Sequence, residues 1–187
     1  LTLLEQVLKE AEEKMKKSLA ALQREYQSLR AGKANPSFLD KVSVNYYDSL
    51  MPLNQVATIS SPEARLLTIT PWDASLLKDI EKAILKANLG VTPQSDGRVI
   101  RVAFPPLTEE RRRELVKLAK KYAEEFRVEM RNHRRLANEE IKELKENGKT
   151  TEDERDWALE RVQKLLEKYT TQIDETLSKK EQQIMEV

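Results

Sequence analysis

The chain has no cysteine, a single histidine, four glycines and only 5% aromatic residues among its 187. Without thiols there is no disulfide, no thiolate nucleophile and no soft metal ligand of the commonest kind, and a reducing compartment fits. The lone His133 leaves no partner for a metal-binding histidine pair or for a Ser–His nucleophile, and no glycine-rich phosphate loop is present. Abundant Asp and Glu on amphipathic helices read as solvating groups. No catalytic residue, metal site or cofactor is therefore assigned, and the chain is read as a non-enzyme. No stretch approaches the roughly twenty apolar residues that cross a bilayer, and no basic segment followed by an apolar run opens the sequence, so the expectation is a soluble, cytoplasmic protein. An excess of either charge is also missing, with 33 Lys and Arg against 32 Asp and Glu. The total thus predicts no polyanionic partner, and the arrangement of charges must decide.

Proline is missing where it matters most. All seven prolines and three of the four glycines lie between Gly32 and Pro106, and residues 107–187 hold no proline. Because proline inside a helix costs about 3 kcal/mol, the flanks can stay helical where the middle cannot. The predicted fold is α+β: an elongated three-helix bundle from 1–30 and 106–187, with a small β/α/β sandwich domain inserted at 31–105.

The flanks carry helical periodicity. Leu4, Leu8, Ala11, Met15, Leu22, Tyr26 and Leu29 recur at steps of three and four, with a skipped position near Ser18, and Thr2 with Glu5 forms a capping box. Thr108 is the expected N-cap of a second helix, about 60 Å long at 1.5 Å per residue. Its apolar stripe is read as Leu115, Leu118, Tyr122, Phe126, Met130, His133, Leu136 and Leu144, with a stop at Gly148. Thr151 and Glu154 cap a third helix that buries Trp157, Val162, Leu165, Tyr169, Ile173 and Leu177. On this stripe His133 reads as a packed residue rather than a ligand. In the insertion, 42–47, 56–59, 66–70 and 99–104 read as strands, and a helix over 76–87 is capped by Asp73 and ended by Gly90.

The arrangement of charge then becomes informative. At about 100° per residue, Arg113, Lys117, Lys120, Arg127, Arg131, Arg134 and Arg135 collect on one flank of the second long helix, roughly opposite its apolar face. A solvated face with Glu124 and acids of other helices as partners is the plain reading. Against it, the crowded guanidiniums of RNHRR at 131–135 repel one another unless a polyanion neutralises them, and their planar forks suit phosphate oxygens. Nucleic-acid backbone is the expected target, with RNA and DNA both open on charge alone.

Four stretches carry a resemblance to bacterial ribosome recycling factors: LRAGKANPSFLD at 29–40, NLGVTPQSDGRVIRV at 88–102, PPLTEERR at 105–112 and RVEMRNHRR at 127–135. The resemblance implies an L-shaped, tRNA-sized monomer with no membrane partner. It would act on the post-termination ribosome with elongation factor G and GTP to separate the subunits. It further implies contact with large-subunit rRNA through Arg127, Arg131, Arg134 and Arg135, with Arg111 and Arg112 as secondary positions, and a hinge at Arg30, Ala31, Gly32, Pro105 and Pro106. Two positions depart from the family pattern. Lys33 stands where arginine is usual, and Asp48 stands where glycine usually follows the tyrosine pair, so an altered hairpin is expected within the same fold. The alternative function is a helical adaptor whose bundle binds protein partners.

Overall fold

The computed structural model describes residues 1–29 and 33–186. It divides into two compact units, Leu1–Tyr26 with Val116–Gln182, and Gln27–Leu115 with Gln183–Val187. The expected joints lay at 30/31 and 105/106. In the structure the first residues of the second long helix go with the inserted part, where Leu115 is buried and the Arg112 guanidinium donates to the Met185 carbonyl (3.3 Å). Of the expected hinge, Arg30, Ala31 and Gly32 lie outside the described residues, while Pro105 and Pro106 form an exposed, non-helical stretch.

The first unit is built from α1 (Leu3–Gln27), most of α3 (Glu109–Glu146) and α4 (Glu152–Met185). Helix α1 starts on the reciprocal cap, Thr2 N–H donating to Glu5 (3.0 Å) and Glu5 N–H to the Thr2 hydroxyl (3.1 Å). Helix α3 ends on Gly148 at φ +69°, with Lys149 N–H donating to the Leu144 carbonyl (2.8 Å) and Gly148 N–H to that of Lys145 (3.1 Å), a Schellman closure. The buried face of α3 differs from the expected one. Ala119, Ala123, Met130, Ala137 and Ile141 face inward while Leu136 is 37% exposed, because helices approach closely over alanine and the larger leucine falls off that line. Trp157 of α4 is likewise 49% exposed and Ala158 takes the core position. At one end Leu4 and Ala11 of α1 pack with Ala137 and Ile141 of α3 and with Ala158 and Val162 of α4.

The position skipped in the α1 periodicity is occupied by a polar cluster. Ser18 is buried; its hydroxyl donates to Glu129 Oε1 (2.7 Å) and lies 2.8 Å from His133 Nε2. With its proton committed to Glu129, the hydroxyl accepts from Nε2–H. That tautomer leaves Nδ1 buried without a partner. Burial lowers the His133 pKa, opposed by Glu129 and assisted by Lys14. Nearby in sequence, the Tyr26 hydroxyl donates to the Ala119 carbonyl (2.6 Å), and burial pushes its pKa up to about 12.

The second unit holds two antiparallel sheets and α2 (Leu77–Lys86). Strands β1 (Ser43–Tyr46) and β2 (Ser49–Pro52) form a hairpin. Strands β3 (Ala57–Glu63), β4 (Leu66–Pro71), β5 (Pro93–Ser95) and β6 (Ile100–Ala103) form a sheet in the order β3-β4-β6-β5. Helix α2 packs on β1 and β5. The core joins Val44, Leu67, Ile69, Ile80, Ile84, Ile100 and Val102, with Phe38 and Phe104 meeting edge to face at 5.2 Å. Asp73 accepts from Ser75 N–H (3.0 Å), capping a 3-10 turn that leads into α2. The expected glycine stop is displaced: Asn88 takes the left-handed position (φ 50°) just past the helix, ahead of Gly90, since a short amide side chain tolerates that conformation. Tyr47 and Asp48 both have positive φ, 48° and 63°. That is the pattern of a type I′ hairpin turn, whose backbone twist suits the flanking strands.

Candidate nucleic-acid interface on α3

A long, capped helix is a means of spacing charged side chains. On α3 the structure brings Arg127, Arg131, Arg134 and Arg135 into one run within a single compact unit. Arg111 and Arg112 belong to the other unit. Arg112 is half-buried with its Nε lacking a partner, and Arg111 pairs with Glu114 (2.8 Å). Arg112 also reaches the end of α4, through its 3.3 Å bond to the Met185 carbonyl.

The run is not placed opposite the apolar face as a whole. With the buried line shifted to Ala119, Ala123 and Ala137, Arg127 and Arg134 sit at its margin and reach α4. Arg127, with a side chain only 23% exposed, donates through Nε and Nη2 to Asp174 Oδ1 (3.0 and 2.6 Å) and through Nη1 to Glu124 (3.3 Å). Arg134 Nη1 donates to Gln163 Oε1 (3.0 Å) while its Nε is buried without a partner. Arg131 and Arg135 stand further out, 49% and 58% exposed, and pair with Glu124 (3.0 Å) and Glu139 (2.7 Å). Arg113, expected on the same flank, pairs with Glu109 (2.7 Å). Burial by itself pulls the Arg127 pKa down, but hydrogen bonds and charge from Asp174 and Glu124 outweigh it and the net shift is upward. Hydrogen bonds from Arg131 first, then from Arg127, lower the pKa of Glu124.

The guanidiniums are therefore not bare: Arg127, Arg131 and Arg135 are paired with acids, and Arg134 with the Gln163 amide. Such exposed pairs contribute only about 0–1 kcal/mol each. The Arg131 and Arg135 forks can exchange a neighbouring carboxylate for a phosphate, whereas Arg127 and Arg134 also hold α3 to α4. Glu124 was legible as a partner from its spacing to Arg127 and Arg131. Asp174 and Gln163 were not, because nothing local in sequence pairs two helices in register.

Among the described residues no group of His, Asp and Glu has the arrangement of a metal site, and no helix is long and apolar enough to cross a membrane.

The family model described as Ribosome recycling factor matches residues 22–185. The ribosome-recycling factor of Bacillus licheniformis is 57% identical over 97% of this chain and 98% of its own length, and that of Moorella thermoacetica is 58% identical over 99% of this chain and 100% of its own. Among solved structures, a solution structure of the ribosome recycling factor is similar over the full length of both chains, with a TM-score of 0.81 and 45% identity. A second is the T. thermophilus ribosome recycling factor, described with E. coli elongation factor G bound to the E. coli post-termination complex. It covers both chains fully at a TM-score of 0.67 and 40% identity.

Proposed function

The chain belongs to the ribosome recycling factor family, and we propose that it splits the post-termination ribosome into subunits together with elongation factor G and GTP. The GTPase partner supplies the chemistry, and this chain acts as a non-enzymatic, cytoplasmic factor. The α3 arginines grip large-subunit rRNA. Arg131 and Arg135 trade their glutamates for phosphate, and Arg127 and Arg134 keep the helix seated on α4 while adding charge. The inserted domain, 31–105, swings about a hinge at Arg30, Ala31, Gly32, Pro105 and Pro106 when the partner pushes on it. The observation that carries this reading is the run of four arginines on one capped helix whose outer members have only exposed, low-energy partners.

Charge reversal tests the grip. Arg131→Glu with Arg135→Glu, both exposed, should weaken large-subunit binding and make the plot of log affinity against log salt shallower by roughly 2, about 0.9 per phosphate lost. Unchanged affinity and slope with helicity intact would remove α3 as the anchor. Because the chain has no cysteine of its own, one engineered cysteine in each unit allows a specific crosslink. Full subunit-splitting activity in the crosslinked form would dispose of the hinge. The adaptor reading is disfavoured by the bundle's surface: the exposed Leu3, Val128, Leu136 and Trp157 are divided among α1, α3 and α4, with no more than two on any one helix.

A further inference from the structure

A second basic surface lies between α1 and α4. Leu8, Lys9 and Glu12 of α1 and Arg161, Lys164, Leu165 and Lys168 of α4 line a groove of about 440 Å³ to which α3 contributes nothing. Four cations face one carboxylate there. That carboxylate is engaged by the Tyr169 hydroxyl, while its lysine contacts are long, with Lys168 Nζ 3.8 Å and Lys16 Nζ 3.9 Å from Glu12, and Lys164 likewise 3.9 Å from Glu160. None of these lysine contacts is a hydrogen bond, in contrast to the arginine pairs on α3 at 2.6–3.0 Å.

At the end of the same α4 stripe stands Trp157. Positions 157, 161, 164 and 168 follow the i, i+4, i+7, i+11 spacing that keeps side chains on one face. The Trp157 ring is 49% exposed, and the Arg161 guanidinium lies 5.8 Å from its centroid. A lysine rim alone does not distinguish phosphate from carboxylate. The indole does, because an exposed ring at the head of a cation row is a stacking platform for a base, and base stacking with backbone neutralisation is how single strands are held. Two half-buried leucines, Leu8 and Leu165, are too small a floor to seat the apolar face of an acidic helix.

We propose that the α1–α4 groove is a second RNA site, which takes an unpaired ribonucleotide segment with one base stacked on Trp157 and successive phosphates along Arg161, Lys164 and Lys168, with Lys9 on the opposite wall. The proposal rests on the ribosomal reading for its source of RNA, but it concerns a different face with its own reporter.

The chain has two tryptophans, so Trp72→Phe leaves Trp157 as the only indole. Titrating the full chain carrying that change with a short single-stranded oligoadenylate should give saturable quenching that weakens with salt. Lys164→Glu with Lys168→Glu should reduce affinity at least tenfold and make the salt slope shallower by roughly 1.4, about 0.7 per phosphate on a single strand. With end-labelled RNA, Trp157→Leu should weaken binding roughly tenfold while leaving the salt slope unchanged, a signature that general loss of structure would not produce. Arg131→Glu with Arg135→Glu should leave the quenching intact, so failure of the α3 grip and failure of this site read out separately. Absence of saturable quenching in a chain of normal helicity would overturn the proposal. So would indifference to the lysine reversals, loss of quenching in the α3 variant, or equal quenching by a polyglutamate peptide, which would reassign the groove to an acidic protein.

Discussion

The two units solve the burial problem with different residues. Among the fully enclosed positions of the inserted unit are Leu39, Leu53, Leu67, Ile69, Ile80, Ile84 and Ile100, with Ala57 the one buried alanine among its described residues. The bundle instead lines its helix contacts with Ala11, Ala119, Ala123, Ala137 and Ala158, and admits a polar cluster at Ser18 and His133. Branched side chains interlock in a small sandwich, where each one fills a large share of the interior. Alanine lets long helices come close, spreading stability thinly over many turns and bringing charged neighbours within reach of the next helix. Arg127 and Arg134 illustrate the consequence, since each is tied to α4. In the bundle, two of the candidate site arginines also tie helices together; among the described residues of the inserted unit the core is built from apolar side chains.

The difference can be broken from either side, since each unit holds one tryptophan: Trp72 reports the inserted unit and Trp157 the bundle once the other is changed to Phe. The largest effect is expected for Ile80→Ala. It removes a fully buried side chain from the sandwich and should destabilise it by about 2–5 kcal/mol. The Trp72 urea transition should fall sharply while that of Trp157 stays in place; a matched fall of both would show that the cores are not separate. The converse change, Ala123→Leu, overfills a helix contact that has no exposure and should destabilise the bundle by roughly 1–3 kcal/mol. This one is read from Trp157. A neutral result would mean that the helices are not held at alanine distance.

Much of this organisation was legible because it is local. The proline gap, the Thr2, Thr108 and Thr151 caps and the Gly148 stop act within a few residues, and each forms as expected, Arg111 N–H donating to Thr108 (3.0 Å) and Glu154 N–H to Thr151 (3.2 Å). What failed depends on partners distant in sequence. Leu136 and Trp157 have helical spacing that agrees with burial, yet size excludes them from contacts made by alanine. Strand β2 was missed because Ser49–Pro52 has weak strand character and is recruited by pairing with β1, and β5 because Pro93 heads a three-residue segment paired only to β6. At the candidate site the arginines could be read from spacing. Their involvement with Asp174 and Gln163 could not, and that involvement separates outward Arg131 and Arg135 from anchored Arg127 and Arg134.

Smaller effects test the polar content of the bundle. Tyr26→Phe removes the hydrogen bond to Ala119 and should destabilise by about 1 kcal/mol, again seen by Trp157. In alkali the wild-type bundle should lose stability as pH passes from 10 towards 12, because the hydroxyl binds its proton more tightly when folded than when unfolded; Tyr26→Phe should remove part of that loss. His133 works in the acid direction. Its folded pKa is lowered by burial, so above about 6.5 its contribution is fully present. As pH falls below that value the unfolded chain takes up the proton first and the contribution is lost. Urea midpoints at pH 7.5 and 5.5 should therefore converge in His133→Gln relative to wild type. An unchanged difference would mean that the ring ionises where it lies, with Glu129 and Lys14 balancing one another.

The smallest effect belongs to the inserted unit and concerns its turn rather than its core. Asp48 has φ 63° with Tyr47 beside it at 48°, so neither central position of the hairpin turn is a glycine although both are left-handed. Asp48→Gly removes steric opposition to that conformation, which for most L-residues is about 1–2 kcal/mol and for aspartate less. Glycine also gains freedom in the unfolded chain, which returns roughly 0.5–1 kcal/mol. The two nearly cancel. A net stabilisation of a few tenths of a kcal/mol is expected for the Trp72 transition, with no movement of Trp157. Because the turn is exposed and the sandwich core lies elsewhere, a loss above about 1 kcal/mol would mean that the aspartate carboxylate itself supports the hairpin, and the inserted unit would then share the bundle's dependence on charge.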